Sequence, residues 1–149
     1  MNEDYRDFLA ALVAEEARFL VVGAHALAVH GYPRGTVDID IWIEPSAENA
    51  DRVWRALAAF GAPMADLGIE RRDFTRPDVV AQFGLPPNRI DVLTGVSGLT
   101  FEHAWSRRVE APVEGVVVPV LGVEDLVTNK RASGREKDRA DVRGLEGRD

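Results

Sequence analysis

The sequence predicts an α+β fold, a short β-sheet flanked by helices, on three observations. Apolar residues at Tyr5, Phe8, Leu9, Leu12 and Val13 recur at the spacing of an amphipathic helix. Short apolar runs at 19–22, 88–94 and 116–121 have the length and content of strands and are separated by helical segments. Between them, Asp38-Ile39-Asp40-Ile41-Trp42-Ile43 alternates with the period of a strand that has two unlike faces.

Taken in order, residues 5–16 form a first helix that covers one face of the sheet. Phe19 to Val22 is a continuous apolar strand, and Gly23 ends it where the chain must turn sharply. Ala24 to Val29 suits a helix whose free N–H groups point back at that turn, an arrangement that favours an anion. Pro33-Arg34-Gly35 breaks this helix. Val37 to Ile43 is the second strand, stopped by Pro45-Ser46, and Ser46 is placed to N-cap a helix from Glu48 to Phe60. Val53, Trp54, Leu57 and Phe60 share one stripe of that helix, which assigns Trp54 to the core.

Residues 61–87 give a poor signal: Ile69 to Phe74 and Val79 to Phe83 are each a short strand or part of a loop. Asn88 to Thr94 is clearer, a strand with Ile90 and Val92 on one face and Asp91 on the other. Leu99 to Arg107 suits a helix, Val116 to Leu121 a strand, and Val123 to about Ala132 another helix. Gly134 separates the latter from a last helix ending near Leu145. With no repeat, low-complexity tract or linker, residues 1–149 read as a single domain.

Composition narrows the chemistry. An apolar fraction of 46% and a charged fraction of 29% are ordinary for a globular protein. No apolar run approaches the length of about 18 residues that a membrane span needs. The start, Met1-Asn2-Glu3-Asp4-Tyr5, lacks the basic beginning of a signal peptide, so a cytoplasmic chain with no membrane partner is expected. The absence of cysteine excludes disulfides, thiolate metal sites and cysteine nucleophiles, so any metal must be held by oxygen or imidazole. A net charge of −7 argues against a broad nucleic-acid face. The segment from Lys130 to Arg143 is nonetheless densely cationic, and reads either as a local nucleic-acid contact or as a solvated helix face with mixed ion pairs.

The acids carry the strongest signal. Asp38 and Asp40 share a strand face about 7 Å apart at the backbone, from a rise of about 3.3 Å per residue, and their side chains can converge on one cation. Like charges held so close raise each other's proton affinity unless a cation compensates. Asp91 repeats the oddity on a later strand. Three such acids beside a glycine turn describe a site for one or two Mg²⁺ ions bridging the phosphates of a nucleotide, since Mg²⁺ takes hard oxygen ligands and fills its shell with water and phosphate. Phosphoryl transfer there needs positioning and charge neutralisation rather than a protein nucleophile. Other motifs fail: His25 and His30 lie about 140° apart around a helix and chelate poorly, Asp38-Ile39-Asp40 lacks the glycine and glutamate of an EF-hand, Ser97 sits in turn chemistry, and neither a Walker loop nor a dinucleotide fingerprint occurs.

The order Gly23, Asp38-Ile39-Asp40, Asp91 resembles the glycine, paired-acid and third-acid pattern of the polymerase-β-like nucleotidyltransferase superfamily. The string from Val21 to Trp42 is similar to its small bacterial branch of abortive-infection toxins and minimal nucleotidyltransferases. So is the tail, Leu121-Gly122-Val123-Glu124-Asp125-Leu126, Lys130, then Arg135-Glu136-Lys137-Asp138 and Asp141. The resemblance is strong at 19–43, 88–93 and 119–143 and nearly absent at 61–87.

The resemblance implies the nucleotidyltransferase fold with a short mixed sheet, and transfer of a nucleoside monophosphate from a nucleoside triphosphate to an acceptor hydroxyl. It implies Mg²⁺, with Mn²⁺ an alternative, on Asp38 and Asp40; Asp91 joins them or activates the acceptor. Gly23 and Ala24 meet the triphosphate through their backbone, Lys130 neutralises phosphate, Asp141 orients the basic segment, and Arg34 and Thr36 contact the triphosphate or the metal shell. One residue departs from the pattern: Ala24 stands where the family has a second glycine or a small polar residue, which keeps the amide but removes a hydroxyl contact. The acceptor is left open among tRNA, a protein and a small molecule. Two other readings stay open: a nucleotide-binding or antitoxin-like module without turnover, and acids merely satisfied by Arg or Lys neighbours.

Overall fold

The computed structural model describes residues 2–33, 35–134, 142, 143 and 145. Its chain order is α1 (Glu3–Ala14), β1 (Phe19–Val22), α2 (Gly23–Val29), β2 (Asp38–Ile43), α3 (Ala47–Phe60), a 3-10 turn (Arg71–Thr75), β3 (Val80–Phe83), β4 (Arg89–Leu93), α4 (Phe101–Ser106), β5 (Val109–Val113), β6 (Val116–Val120) and α5 (Val123–Ser133). The strands form one six-stranded mixed sheet in the order β3-β4-β2-β1-β6-β5. This is the α+β architecture expected, with both parallel (β2/β4, β1/β6) and antiparallel pairs.

Local chemistry explains most boundaries. Asn2 caps α1 by accepting the Tyr5 N–H, so the helix starts two residues earlier than its apolar period suggests. Phe8, Leu9 and Leu12 point inward from it and are fully buried. Ser46 caps α3 as expected, and Gly61 ends that helix in the left-handed conformation. Asn49, itself buried, ties the ends of β1 and β2 together: its Oδ1 accepts the Arg18 N–H at 2.7 Å and its Nδ2 donates to the carbonyls of Arg18 and Glu44, both at 2.9 Å.

The structure resolves the weak region and corrects one omission. Residues 71–75 are a 3-10 turn rather than a strand, held by a reciprocal Glu70/Asp73 cap, and fully buried Phe74 packs against Trp54. Residues 80–83 are a true edge strand, paired with β4. The strand β5 has no counterpart in the sequence reading. It pairs with β6 through a turn at Glu114 and Gly115, both at positive φ, the backbone that a tight hairpin requires. Pro112 disguises it; an edge strand tolerates proline because one side of its ladder is unpaired. The expected last helix near Leu145 lies largely outside the described residues, although Val142 and Leu145 are buried.

The sheet places three ends side by side. Asp40 on β2 stands opposite Val22, the last residue of β1, and opposite Asp91 on β4, while Asp38 stands opposite Arg89. The face that carries the acids is open only there: Trp42, two residues along, is 1% exposed and meets the Phe101 ring edge-on at 5.2 Å. Both faces of β2 are therefore core beyond the acids, which explains the buried run Ile41-Trp42-Ile43.

Candidate active site

The parallel register of β2 and β4 brings the three acids together. One carboxylate oxygen from each of Asp38, Asp40 and Asp91 lies within 4.8 Å of the others, and among the described residues no other His, Cys, Asp and Glu cluster of this kind occurs. An octahedral cation with bonds of about 2.1 Å reaches oxygens up to about 4.2 Å apart, so small carboxylate rotations suffice to hold one divalent ion. All the donors are hard oxygens, as Mg²⁺ or Mn²⁺ requires.

Electrostatics shows the strain of this grouping. Burial, then the neighbouring Asp38 and Asp91 charges, push the Asp40 carboxyl up to about 7, and Lys130 acts against the shift. Burial likewise raises Asp91 above the usual carboxylate range, with the Arg89 guanidinium opposing it. Asp91 is 7% exposed, and its Oδ1 is buried without a hydrogen-bond partner. An orphaned, buried carboxylate oxygen inside an acid cluster is a vacant ligand in the chemical sense.

Gly23 is required here for a reason more specific than turning the chain. Its φ is +68°, and a Cβ on it would drive into Asp40 Oδ2, so only glycine lets the Asp40 carboxylate lie against the start of α2. Ala24 follows in the first turn, half-buried. Thr36 turns toward Asp38, its Oγ1 2.9 Å from Asp38 Oδ1 and accepting the Asp38 N–H at 3.3 Å, so it supports the acid directly. Lys130 on α5 is 6% exposed and close enough to Asp40 to lower its proton affinity. Arg34 and Asp141 lie outside the described residues.

Neither His25 nor His30 joins the acid cluster. The His30 Nε2 lies 2.8 Å from the Leu121 carbonyl. His25 packs edge-on to Tyr5, with ring centroids 5.6 Å apart, 3.8 Å from Glu114, and burial lowers its pKa.

Two residues of the site escaped the sequence reading. Arg89 pairs with Asp38 and lies 3.3 Å from Asp91. Tyr5, from α1, is buried with its hydroxyl 3.0 Å from the carbonyls of both Pro87 and Arg89, and burial followed by the Asp38 charge pushes its phenol up to about 12. Arg89 had a signal of its own, since Arg89 and Asp91 share a face of one strand as Asp38 and Asp40 do. Tyr5 had none, because its partner is more than eighty residues away.

Comparison with known proteins identifies a family and a fold. A family model described as "Nucleotidyltransferase of unknown function (DUF6036)" matches residues 6–146. Among solved structures, the chain is similar to a candidate nucleotidyltransferase from Thermotoga maritima at 16% identity, with a TM-score of 0.61 over 97% of this chain and 91% of that one, a likeness of fold. No curated protein matches the chain. Among the described residues no helix is long and apolar enough to cross a membrane.

Proposed function

Because the chain belongs to the nucleotidyltransferase family DUF6036, we propose that residues 1–149 act as one domain that moves a nucleoside monophosphate from a nucleoside triphosphate to an acceptor hydroxyl, releasing pyrophosphate. The observation that carries this reading is the convergence of Asp38, Asp40 and Asp91 beside Gly23. A divalent cation, when bound, supplies neutralisation of the phosphate charge and alignment of the triphosphate.

The chain's own residues have distinct parts. Asp38 and Asp40 hold the cation, with the Thr36 hydroxyl fixing Asp38. Asp91 is the third ligand or the proton acceptor: the acceptor oxygen bonds to the α-phosphorus, the bond from that phosphorus to the pyrophosphate oxygen breaks, and the hydroxyl proton passes to the carboxylate. Its raised proton affinity suits the second role. Lys130 faces phosphate, Gly23 and Ala24 offer backbone N–H groups to the triphosphate, and the resemblance assigns Arg34 to the triphosphate and Asp141 to the basic segment. The acceptor is a hydroxyl of tRNA, of a protein or of a small molecule.

The test is thermal unfolding with ATP, CTP, GTP and UTP, with and without Mg²⁺, on the wild type and on Asp40→Asn. A ligand at a hundred times its Kd adds roughly 2.7 kcal/mol, a shift of several degrees for a chain of this size. One nucleotide should stabilise the wild type only with Mg²⁺, and Asp40→Asn should lose the shift. No shift with any nucleotide overturns the reading.

One observation favours a second reading, a nucleotide-binding or antitoxin-like module without turnover: Arg89 already pairs with two of the three acids. It predicts the same Mg²⁺-dependent shift, but no transfer of α-labelled nucleotide to tRNA, protein or small-molecule acceptors.

A further inference from the structure

Arg89 stands in the acid cluster by construction. Strand register sets it opposite Asp38, and it lies two residues before Asp91, so its side chain leaves the sheet on the face of all three acids. Its guanidinium pairs with Asp38 and approaches Asp91 at 3.3 Å. Yet the pairing with Asp91 is unfinished: Arg89 Nε and Asp91 Oδ1 are both buried, they face each other, and neither makes a hydrogen bond. Arg–carboxylate pairs frequently close a two-bond fork, and here Arg89 makes one contact to each of two acids instead. The backbone of Arg89 is pinned, since Tyr5 reaches its carbonyl at 3.0 Å, while 30% of its side chain is exposed.

We propose that Arg89 is an exchangeable counterion: in the free chain its guanidinium occupies the place between Asp38 and Asp91 that a divalent cation takes on binding, and the cation displaces it. The inference rests on the metal site proposed above and goes further, because it makes cation affinity a competition set by one residue. A single delocalised positive charge holds the carboxylates together without saturating them, whereas a small divalent ion does both. Arg89 thereby keeps the acids gathered before the cation arrives and weakens its binding in proportion.

The test is Mn²⁺ binding to the full chain without nucleotide, followed by the loss of the free-ion electron paramagnetic resonance signal, for the wild type, Arg89→Met, Arg89→Lys and Asp40→Asn. Removing a competing unit charge a few ångströms from a divalent ion should tighten Mn²⁺ binding by at least about tenfold in Arg89→Met. Arg89→Lys should return affinity toward the wild type. Equal or weaker binding by folded Arg89→Met overturns the proposal while leaving the metal site standing. Absence of Mn²⁺ binding in all four proteins removes the metal site itself, and the proposal with it. Should Arg89→Met not fold, the wild type answers alone: the Arg89 Nε–H resonance, assigned by its loss in Arg89→Lys, should move in step with Mg²⁺ occupancy. A resonance that stays put under saturating Mg²⁺ overturns the exchange.

Discussion

Replacing Asp40 with asparagine should make the chain more stable, not less, at neutral and alkaline pH. The carboxyl of Asp40 is raised from 3.8 to about 7, chiefly by burial and by the Asp38 and Asp91 charges. The folded chain thus holds this proton more tightly than the unfolded chain does. Below about pH 4 both states are protonated and nothing is lost. Between about pH 4 and pH 7 the unfolded state ionises while the folded one resists, so stability falls as pH rises, and above about pH 7 the full penalty stands. The rise from 3.8 to about 7, at about 1.4 kcal/mol per tenfold change in proton affinity, sets a ceiling of about 4 kcal/mol. Part of it is shared with Asp91, whose proton affinity is raised by burial and then by the Asp38 charge.

Asparagine keeps the shape, removes the charge and can donate to Asp91. Asp40→Asn should therefore gain about 1–3 kcal/mol over the wild type at pH 8 and lose most of the slope between pH 4 and 7. The assay is urea unfolding in the presence of a chelator, from pH 4.5 to 8.5, for both proteins. A variant less stable than the wild type at pH 8, with the slope intact, refutes the reasoning. It would mean that Asp40 is held ionised by Lys130 and Arg89 as an ordinary structural pair, the reading in which the acids serve only the fold.

Two further substitutions separate site from scaffold. Gly23→Ala forces a Cβ into a left-handed position against Asp40; it should lose about 2 kcal/mol and abolish the Mg²⁺-dependent nucleotide shift in a thermal-unfolding assay. Asn49→Ala lies at the far end of β1 and β2 and strips partners from one buried N–H and two carbonyls. It should lose about 3 kcal/mol by urea unfolding, while the nucleotide shift per unit of folded protein stays unchanged.

What was legible in the sequence was whatever one segment decides alone. The alternation of Asp38 to Ile43 marked both the strand and the face of its acids, and the period of Phe8, Leu9 and Leu12 marked a covering helix. Ser46 showed where α3 begins because a cap acts three residues away. What escaped was set by backbone conformation at one turn or by contacts between distant segments. The β5 hairpin depends on Glu114 and Gly115 adopting positive φ, and Glu110 and Pro112 hid its strand character. Residues 71–75 are a turn because Phe74 reaches Trp54, a tertiary contact that local propensity does not encode. At the site, the three acids were visible as anomalies in apolar strands, and the strand alternation put Arg89 on the face of Asp91, but its pairing with Asp38 follows from the β2/β4 register, which no local pattern specifies.

The arrangement of charge bears on whether the acids serve the fold or something it binds. A sheet needs no carboxylates at these positions: the same strands carry Ile39, Ile41, Ile90 and Val92 with full burial, and well-packed apolar residues commonly match or outdo a buried ionic cluster in stability. Among the described residues, Asp38, Asp40 and Asp91 are faced by Arg89 and Lys130, so their formal charge is not balanced. Asp40 answers by holding its proton, and Asp91 Oδ1, 3.3 Å from Arg89 Nε, makes no hydrogen bond. Glycine at position 23 then lets the most strained of the three lie against the start of α2. The proton-holding Asp40 and the unbonded Asp91 oxygen each cost stability in the free chain, and a divalent cation would relieve both by ionising Asp40 and engaging Asp91. A purely structural cluster has no reason to concentrate such costs at one end of a sheet, next to the turn at Gly23.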